Sequence, residues 1–111
     1  MDNSLKESLD HANKMKVFNN QLRLLKEKYL ERNIYFTVGH QFTIDLKLIN
    51  YCITLKNQNK LKDVIMLDDY DLPVRIKDLD TFYNNIMDLY QQNLNAYIVE
   101  YNKLVQDKGR I

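Results

Sequence analysis

Few residues in this 111-residue sequence have types and spacings that could support chemistry. His11 and His40 are the two histidines, and neither stands at a spacing from a carboxylate or nucleophile that is typical of catalysis. Cys52, the one cysteine, lies in an apolar segment, so we expect a buried and unreactive thiol. Gly39 and Gly109 stand alone and cannot form a glycine-rich phosphate loop. The sequence therefore predicts no enzyme activity, no catalytic residue and no cofactor.

Three aspartates, Asp68, Asp69 and Asp71, lie close together just before Pro73. Close carboxylates on a turn suit a hard cation such as calcium or magnesium. These three lack the full ligand spacing and the glycine of a calcium loop, so we predict no metal site. The favoured interpretation is an ordinary hydrated turn between two strands, and the alternative is an acidic patch that binds a partner protein.

The net charge of +1 hides an uneven distribution of charged residues along the chain. Residues 1–62 hold 11 Lys and Arg against 6 Asp and Glu, whereas residues 63–90 hold 2 against 7. The basic residues are diluted by acidic ones, so nucleic acid is not the expected partner. No apolar run has the roughly 20 residues of a membrane span, and the polar N-terminus is unlike a signal peptide. We expect an intracellular location, or a particle assembled in the cytosol, and no membrane partner.

A long amphipathic helix is predicted over residues 78–108. Its apolar side chains recur at alternating steps of four and three, which is typical of one helix face. A helix of this length would run roughly 45 Å, longer than a domain of this size needs, so part of the face is expected to bind a partner. The candidate partner-binding residues on it are Tyr83, Met87, Tyr90, Leu94, Tyr97 and Tyr101. For the heptad-spaced Tyr83, Tyr90 and Tyr97, the favoured interpretation is core packing against the N-terminal helix, and the alternative is a protein interface.

The rest of the chain predicts an α+β fold, with two long helices and one shorter helix packed with small antiparallel β-hairpins. The first long helix runs to about Arg32, and a hairpin with Gly39-His40 at its turn follows. Thr43 or Asp45 begins the shorter helix, for which a strand is the main alternative because of its β-branched content. Residues 64–67 and 74–76 form the second hairpin. We expect residues 1–33 and 34–111 to be an N-terminal helix and a small α+β domain within a single folding unit.

From Phe36 onward, the order of elements resembles a domain of unknown function found in bacteriophage tail-fibre and tail-fibre-assembly proteins. The matching features are Phe36 and Phe42 around a turn, the apolar helix, the segment 64–69, the short strand 74–76 and the segment 78–82 that opens the last helix. The chain departs from that family in having no Trp and in carrying its own N-terminal helix. The resemblance implies a phage origin and a role in virion architecture or assembly, and therefore a location in a virion or the host cytoplasm. It implies no active site.

These observations predict a non-enzymatic protein–protein interaction module, as a phage virion protein associated with the tail or fibre or as an assembly protein. Its partner would be copies of itself or a larger virion or host protein. One alternative is a small phage-encoded inhibitor of a host defence enzyme, such as an anti-CRISPR, acting through the acidic surface. Another is an antitoxin-like or transcription-regulating partner protein.

Overall fold

The computed structural model describes residues 3–109 and shows three helices and two β-hairpins. In chain order the elements are α1 (Asn3–Arg32), β1 (Ile34–Thr37), β2 (His40–Thr43), α2 (Leu46–Asn57), β3 (Lys62–Leu67), β4 (Pro73–Asp78) and α3 (Leu79–Gly109). Strands β1 and β2 form one antiparallel sheet, and β3 and β4 form another. The α+β fold expected from the sequence is confirmed, and the segment after Asp45 is a helix and not a strand.

The chain divides into two compact units. The helix-pair unit comprises Met1–Leu30 and Leu94–Ile111, of which residues 3–30 and 94–109 are described, and the hairpin unit is Glu31–Asn93. This division differs from the predicted boundary at residue 33, because α1 and α3 each contribute residues to both units. That the chain folds as a single unit stays a prediction.

The hairpin unit has a continuous apolar core. Along β3 and β4, alternate side chains point inward, which is the pattern of a sheet with one buried face. Helix α2 adds three side chains at helical spacing, and the first turns of α3 add three more. The buried cluster consists of Phe42, Ile44, Ile49, Cys52, Leu55, Val64, Met66, Val74, Ile76, Leu79, Phe82 and Ile86.

The first hairpin turns one residue earlier than the sequence predicted. Thr37 pairs with His40, so the two turn residues are Val38 and Gly39, with φ of 49° and 77°. Positive φ at both positions defines a type I′ turn, whose twist matches that of the strands. The prediction of a turn at Gly39-His40 was wrong, because it placed the glycine first, whereas the β-branched Val38 occupies that position despite its poor fit to positive φ.

The second hairpin closes through three residues, Asp69, Tyr70 and Asp71. The Asp71 N–H donates to the Asp68 carbonyl at 3.0 Å, and Asp71 itself has φ of 60°. A turn followed by one residue in the left-handed region is the usual geometry of a three-residue hairpin loop. Pro73 begins β4, as the sequence predicted, at a position where its missing N–H is tolerated.

Two aspartates cap helices at the positions that the sequence indicated. The Leu48 N–H donates to the Asp45 side chain at 2.8 Å at the start of α2. At the start of α3, Asp78 accepts from the N–H groups of Asp80 and Thr81 at 3.1 and 3.4 Å, and from the Thr81 hydroxyl at 3.1 Å. These bonds hold the pKa of Asp78 below its ordinary value, with the Thr81 hydroxyl as the largest cause. Both caps satisfy N–H groups that a helix start leaves unpaired.

Candidate functional site

Asp68 and His40 join the two hairpins within the hairpin unit. The His40 ring Nδ1 lies 2.7 Å from Asp68 Oδ2, and the Asp68 side chain is almost fully buried. The N–H groups of Tyr70 and Leu72 both donate to Asp68 Oδ1 at 2.9 Å. The His40 hydrogen bond is the largest of the effects that lower the pKa of Asp68, and the two N–H donors add to it. The expectation of an ordinary hydrated turn was wrong for this residue, because its carboxylate organises the loop from inside.

Asp69 binds the outer edge of β2. The Thr43 N–H donates to Asp69 Oδ1 at 2.8 Å, and the Thr43 hydroxyl and the Gln41 side-chain amide donate to Oδ2 at 2.8 and 2.9 Å. The Asp69 N–H in turn donates to the Gln41 carbonyl at 2.9 Å. This carboxylate therefore covers backbone groups of β2 that would otherwise form an open sheet edge.

The predicted acidic patch is therefore divided by the fold. Asp68 is buried, Asp69 is exposed but accepts three hydrogen bonds, and Asp71 is exposed in the loop. Within residues 3–109, no group of three or more His, Cys, Asp or Glu side chains is arranged to hold a metal ion. Binding of a partner by these three aspartates stays a prediction.

The histidine–aspartate pair was not visible in the sequence, because 28 residues separate its members. Such a pair orients the imidazole of a catalytic triad, and it would need a nucleophile beside the second ring nitrogen. Across the described residues, His40 forms no hydrogen bond with a hydroxyl or a thiol. Cys52 is fully buried in the core, and burial raises the pKa of its thiol to about 11, an effect that Lys56 partly opposes. The arrangement around His40 is suited to holding two loops together.

Three residues of the predicted partner-binding stripe belong to the hairpin unit. Tyr83, Met87 and Tyr90 are partly buried and pack against the apolar core. The Lys56 ammonium lies 4.2 Å from the centre of the Tyr83 ring and 3.3 Å from Asp80 Oδ1. This cation–π contact fixes the exposed side of the Tyr83 ring. These side chains pack within the unit, and any contact with a partner stays a prediction.

The other three stripe residues, Leu94, Tyr97 and Tyr101, are half-buried in the helix-pair unit. Tyr97 packs edge-to-face on Tyr29, with ring centres 4.8 Å apart. Lys28 Nζ lies 3.0 Å from Glu100 Oε1, which adds an ion pair between the two helices. The packing of Tyr97 on α1 agrees with the core packing that the sequence favoured for this residue.

The helix-pair unit leaves a large share of its apolar side chains exposed. Leu25 is the one apolar residue that is buried among its described residues. A groove of about 240 Å³ runs along the pair, with Val17, Phe18 and Leu104 among its lining residues. Within the part of this unit that the structure describes, the exposed large apolar side chains are Leu5, Leu9, Val17, Leu24, Leu30, Ile98, Val99 and Val105. The candidate partner-binding residues that the sequence predicted include none of these eight, although Leu5, Leu9, Ile98 and Val105 belong to the apolar sides of the two predicted helices.

Asn93 forms a buried amide pair that the sequence did not reveal. Its Nδ2 group donates to the Arg32 carbonyl and to Asn33 Oδ1, both at 2.8 Å. The Asn33 carbonyl accepts from the Ile44 N–H at 2.7 Å. Asn93 therefore satisfies the end of α1 at the point where the chain enters the first hairpin. A buried Asn between two helices of different chains can set their register. The bonds to Arg32 and Asn33 explain the burial of Asn93 without a second copy.

None of the helices within residues 3–109 combines the length and apolar content that a membrane crossing requires. No protein-family model, curated protein or solved structure matches the chain. The interpretation of the site therefore depends on its own geometry.

Proposed function

We propose that the protein is a non-enzymatic protein-binding module whose helix-pair unit docks on another protein chain. The observation that carries the proposal is that the described residues of that unit include one buried apolar side chain, Leu25, and eight exposed large apolar side chains. Two packed helices bury only the side chains along their line of contact. Burial of the remaining apolar side chains under a further layer stabilises the pair. Exposed apolar patches of this kind are typical of protein–protein interfaces.

A second copy of the chain is the first partner to test, since it presents the same apolar faces in the same cell. A larger virion or host protein is the second. The setting of a phage particle or its assembly derives from the family resemblance described above, and we retain it as part of the proposal.

The acidic-inhibitor alternative receives less support. An inhibitor that mimics nucleic acid needs free carboxylates on its surface. Asp68 is buried, and Asp69 is held by Gln41 and Thr43, so two of the three carboxylates of the cluster already have partners within the chain.

The test compares the wild-type protein with a double variant, Val17→Glu with Leu24→Glu, by size-exclusion chromatography with light scattering over a wide range of concentrations. Both side chains are exposed, so the charges should leave the fold intact and oppose burial of the helix face. We expect the wild type to form oligomers as concentration rises and the variant to remain a monomer. In affinity capture from host cells, the variant should lose a protein that the wild type retains.

The matched control is Ser8→Glu with Asn19→Glu, which adds the same two charges to exposed polar positions of α1. This control should behave as the wild type in both measurements. Circular dichroism of all three proteins reports whether the helices are intact. The proposal would be overturned if the wild type stays monomeric and every protein that it captures is also captured by the Val17→Glu, Leu24→Glu variant.

A further inference from the structure

Strand β4 has one edge that is not paired with another strand. It pairs with β3 in a two-stranded sheet, and the Asp68 N–H donates to the Leu72 carbonyl at 2.9 Å where the hairpin closes. Hydrogen-bonded pairs alternate along an antiparallel ladder, so Val74 and Ile76 bond toward β3. The N–H and C=O groups of Arg75 and Lys77 then point the other way. Within residues 3–109, no hydrogen bond joins these backbone groups to anything outside the hairpin.

A groove of about 380 Å³ lies beside this edge, inside the hairpin unit. Its lining includes Val74 and Ile76 of β4, Tyr35 and Thr37 of β1, and Phe82 of α3. The Tyr35 ring packs edge-to-face on Phe82, and the Asn85 side chain donates to the Tyr35 hydroxyl at 3.1 Å. These contacts hold the apolar lining in place before any ligand arrives, which lowers the entropic cost of binding.

The outward face of β4 carries two positive charges, Arg75 and Lys77. Both side chains are exposed, and neither forms an ion pair or hydrogen bond with another described residue. A strand added antiparallel to β4 would place its own side chains directly opposite them, where opposite charges stabilise and like charges destabilise. Two copies paired through β4 would bring Arg75 and Lys77 of each copy together. The charges therefore disfavour self-pairing and favour an acidic strand.

We propose that the β4 edge binds an extended segment of a partner protein in which acidic and apolar residues alternate. The acidic residues lie opposite Arg75 and Lys77, and their backbone groups bond to those of β4. The apolar residues, pointing to the other face, enter the groove over Phe82. Asp78 bounds the groove at the helix end, where its carboxylate is engaged with Thr81. This mode of recognition takes affinity from main-chain bonds and specificity from alternate side chains.

The probe is a short end-capped peptide in which aspartate and valine alternate, labelled for fluorescence anisotropy. We expect saturable binding to the full-length protein, weakening as salt is added because exposed charges contribute. A peptide with lysine in place of aspartate should not bind. N-methylation of the aspartate residues should abolish binding, because those N–H groups face β4, whereas N-methylation of the valines should leave most of it.

The protein variant is Arg75→Glu with Lys77→Glu, for which we expect the affinity for the aspartate peptide to fall by about tenfold or more. The control, Lys47→Glu with Lys60→Glu, changes the net charge equally at exposed positions outside β3 and β4 and should bind as the wild type. The Val17→Glu, Leu24→Glu variant should also bind normally, so that this proposal and the helix-pair proposal can fail separately.

Three results would overturn the proposal. The first is an aspartate peptide that shows no saturable binding to the folded wild type. The second is an affinity unchanged by Arg75→Glu with Lys77→Glu, or by N-methylation of the aspartates. The third is a dimer of the protein itself paired through β4, detected by cross-links between the β4 strands of two copies.

Discussion

A buried carboxylate at the junction of the two hairpins makes the stability of the fold depend on pH. The pKa of Asp68 is lower in the folded chain than in the unfolded one, so the folded state binds fewer protons near that pKa. Its ionised form therefore contributes stability above the ordinary aspartate pKa of about 4. That contribution is lost as pH falls from there through the lowered pKa.

We expect Asp68→Asn to be less stable than the wild type at neutral pH and to lose less stability on acidification. Urea unfolding between neutral pH and about pH 2 measures both quantities. Asp78→Asn removes another carboxyl group whose pKa is lowered, and it should leave the contribution of Asp68 to the pH dependence intact. The double variant should have the flattest profile of the four proteins. An Asp68→Asn profile parallel to that of the wild type would contradict this assignment.

A second prediction at the scale of single residues concerns the contribution of Asn93 to stability. In Asn93→Ala, the Arg32 carbonyl and Asn33 Oδ1 lose their buried donor, and an unpaired buried polar group costs about 1–3 kcal/mol. The free energy of unfolding should fall by about that amount in denaturant titrations. Gln92→Ala, which removes a side-chain amide from an exposed neighbouring position, is the control and should change stability by much less. Equal effects of the two substitutions would mean that the amide pair contributes little.

The residues that the sequence identified correctly are those whose roles are local. Asp45 and Asp78 each cap a helix that begins at the next residue, and a cap is specified by the few residues around it. His40 with Asp68, and Asn33 with Asn93, are brought together by the tertiary fold across long stretches of chain. A single sequence contains no signal for such pairs, because spacing carries information only within an element.

At the scale of elements, the first hairpin stores strain in its turn. Val38 has φ of 49°, which a β-branched residue rarely adopts, and its side chain is 89% exposed, so it gains little from packing. Val38→Asn should raise the free energy of unfolding by about 1 kcal/mol, since Asn-Gly is the preferred pair for this turn. Thermal or denaturant unfolding measures the gain.

The matched substitution Gly39→Ala should lower the free energy of unfolding, whereas Val38→Asn should raise it. A Cβ at this position would meet nothing within 4 Å, so its cost comes from the φ of 77° alone, about 1 kcal/mol. Together the two substitutions test the position of the turn. If it lay at Gly39-His40, as the sequence suggested, Val38→Asn would bring no gain.

The elements themselves were largely predictable, and their surfaces were not. Two short apolar runs, 64–67 and 74–76, on either side of a turn-prone segment predicted the second hairpin, and three-four spacing predicted α3. The same spacing could not separate side chains that pack inside the chain from those left exposed. Tyr83 packs on the core, whereas Ile98 and Val105, beside the stripe, are exposed. Periodicity reports which side of a helix is apolar, and the position of neighbouring elements decides how much of that side is covered.

At the scale of the whole molecule, the two units differ in how much apolar surface they bury. The hairpin unit contains a cluster of twelve buried side chains, whereas Leu25 is the buried apolar residue of the described helix-pair unit. Regions with few buried contacts open more readily than the rest of a protein. In a dilute sample, we therefore expect amide hydrogens of residues 3–24 in α1 to exchange faster than those of α2 and of residues 79–93 in α3.

The same measurement, repeated at rising protein concentration, tests the helix-pair proposal without any substitution. If a second copy covers the exposed face, mass action stabilises the covered helix and exchange over residues 3–24 slows, while the hairpin unit changes little. The Val17→Glu, Leu24→Glu variant should show no such dependence, because its added charges oppose burial. If exchange in α1 is as slow in dilute wild-type samples as in the hairpin unit, the packing of α1 on α3 is sufficient to stabilise α1 without a second copy. The exposed apolar side chains would then need a different explanation from the covering layer proposed above.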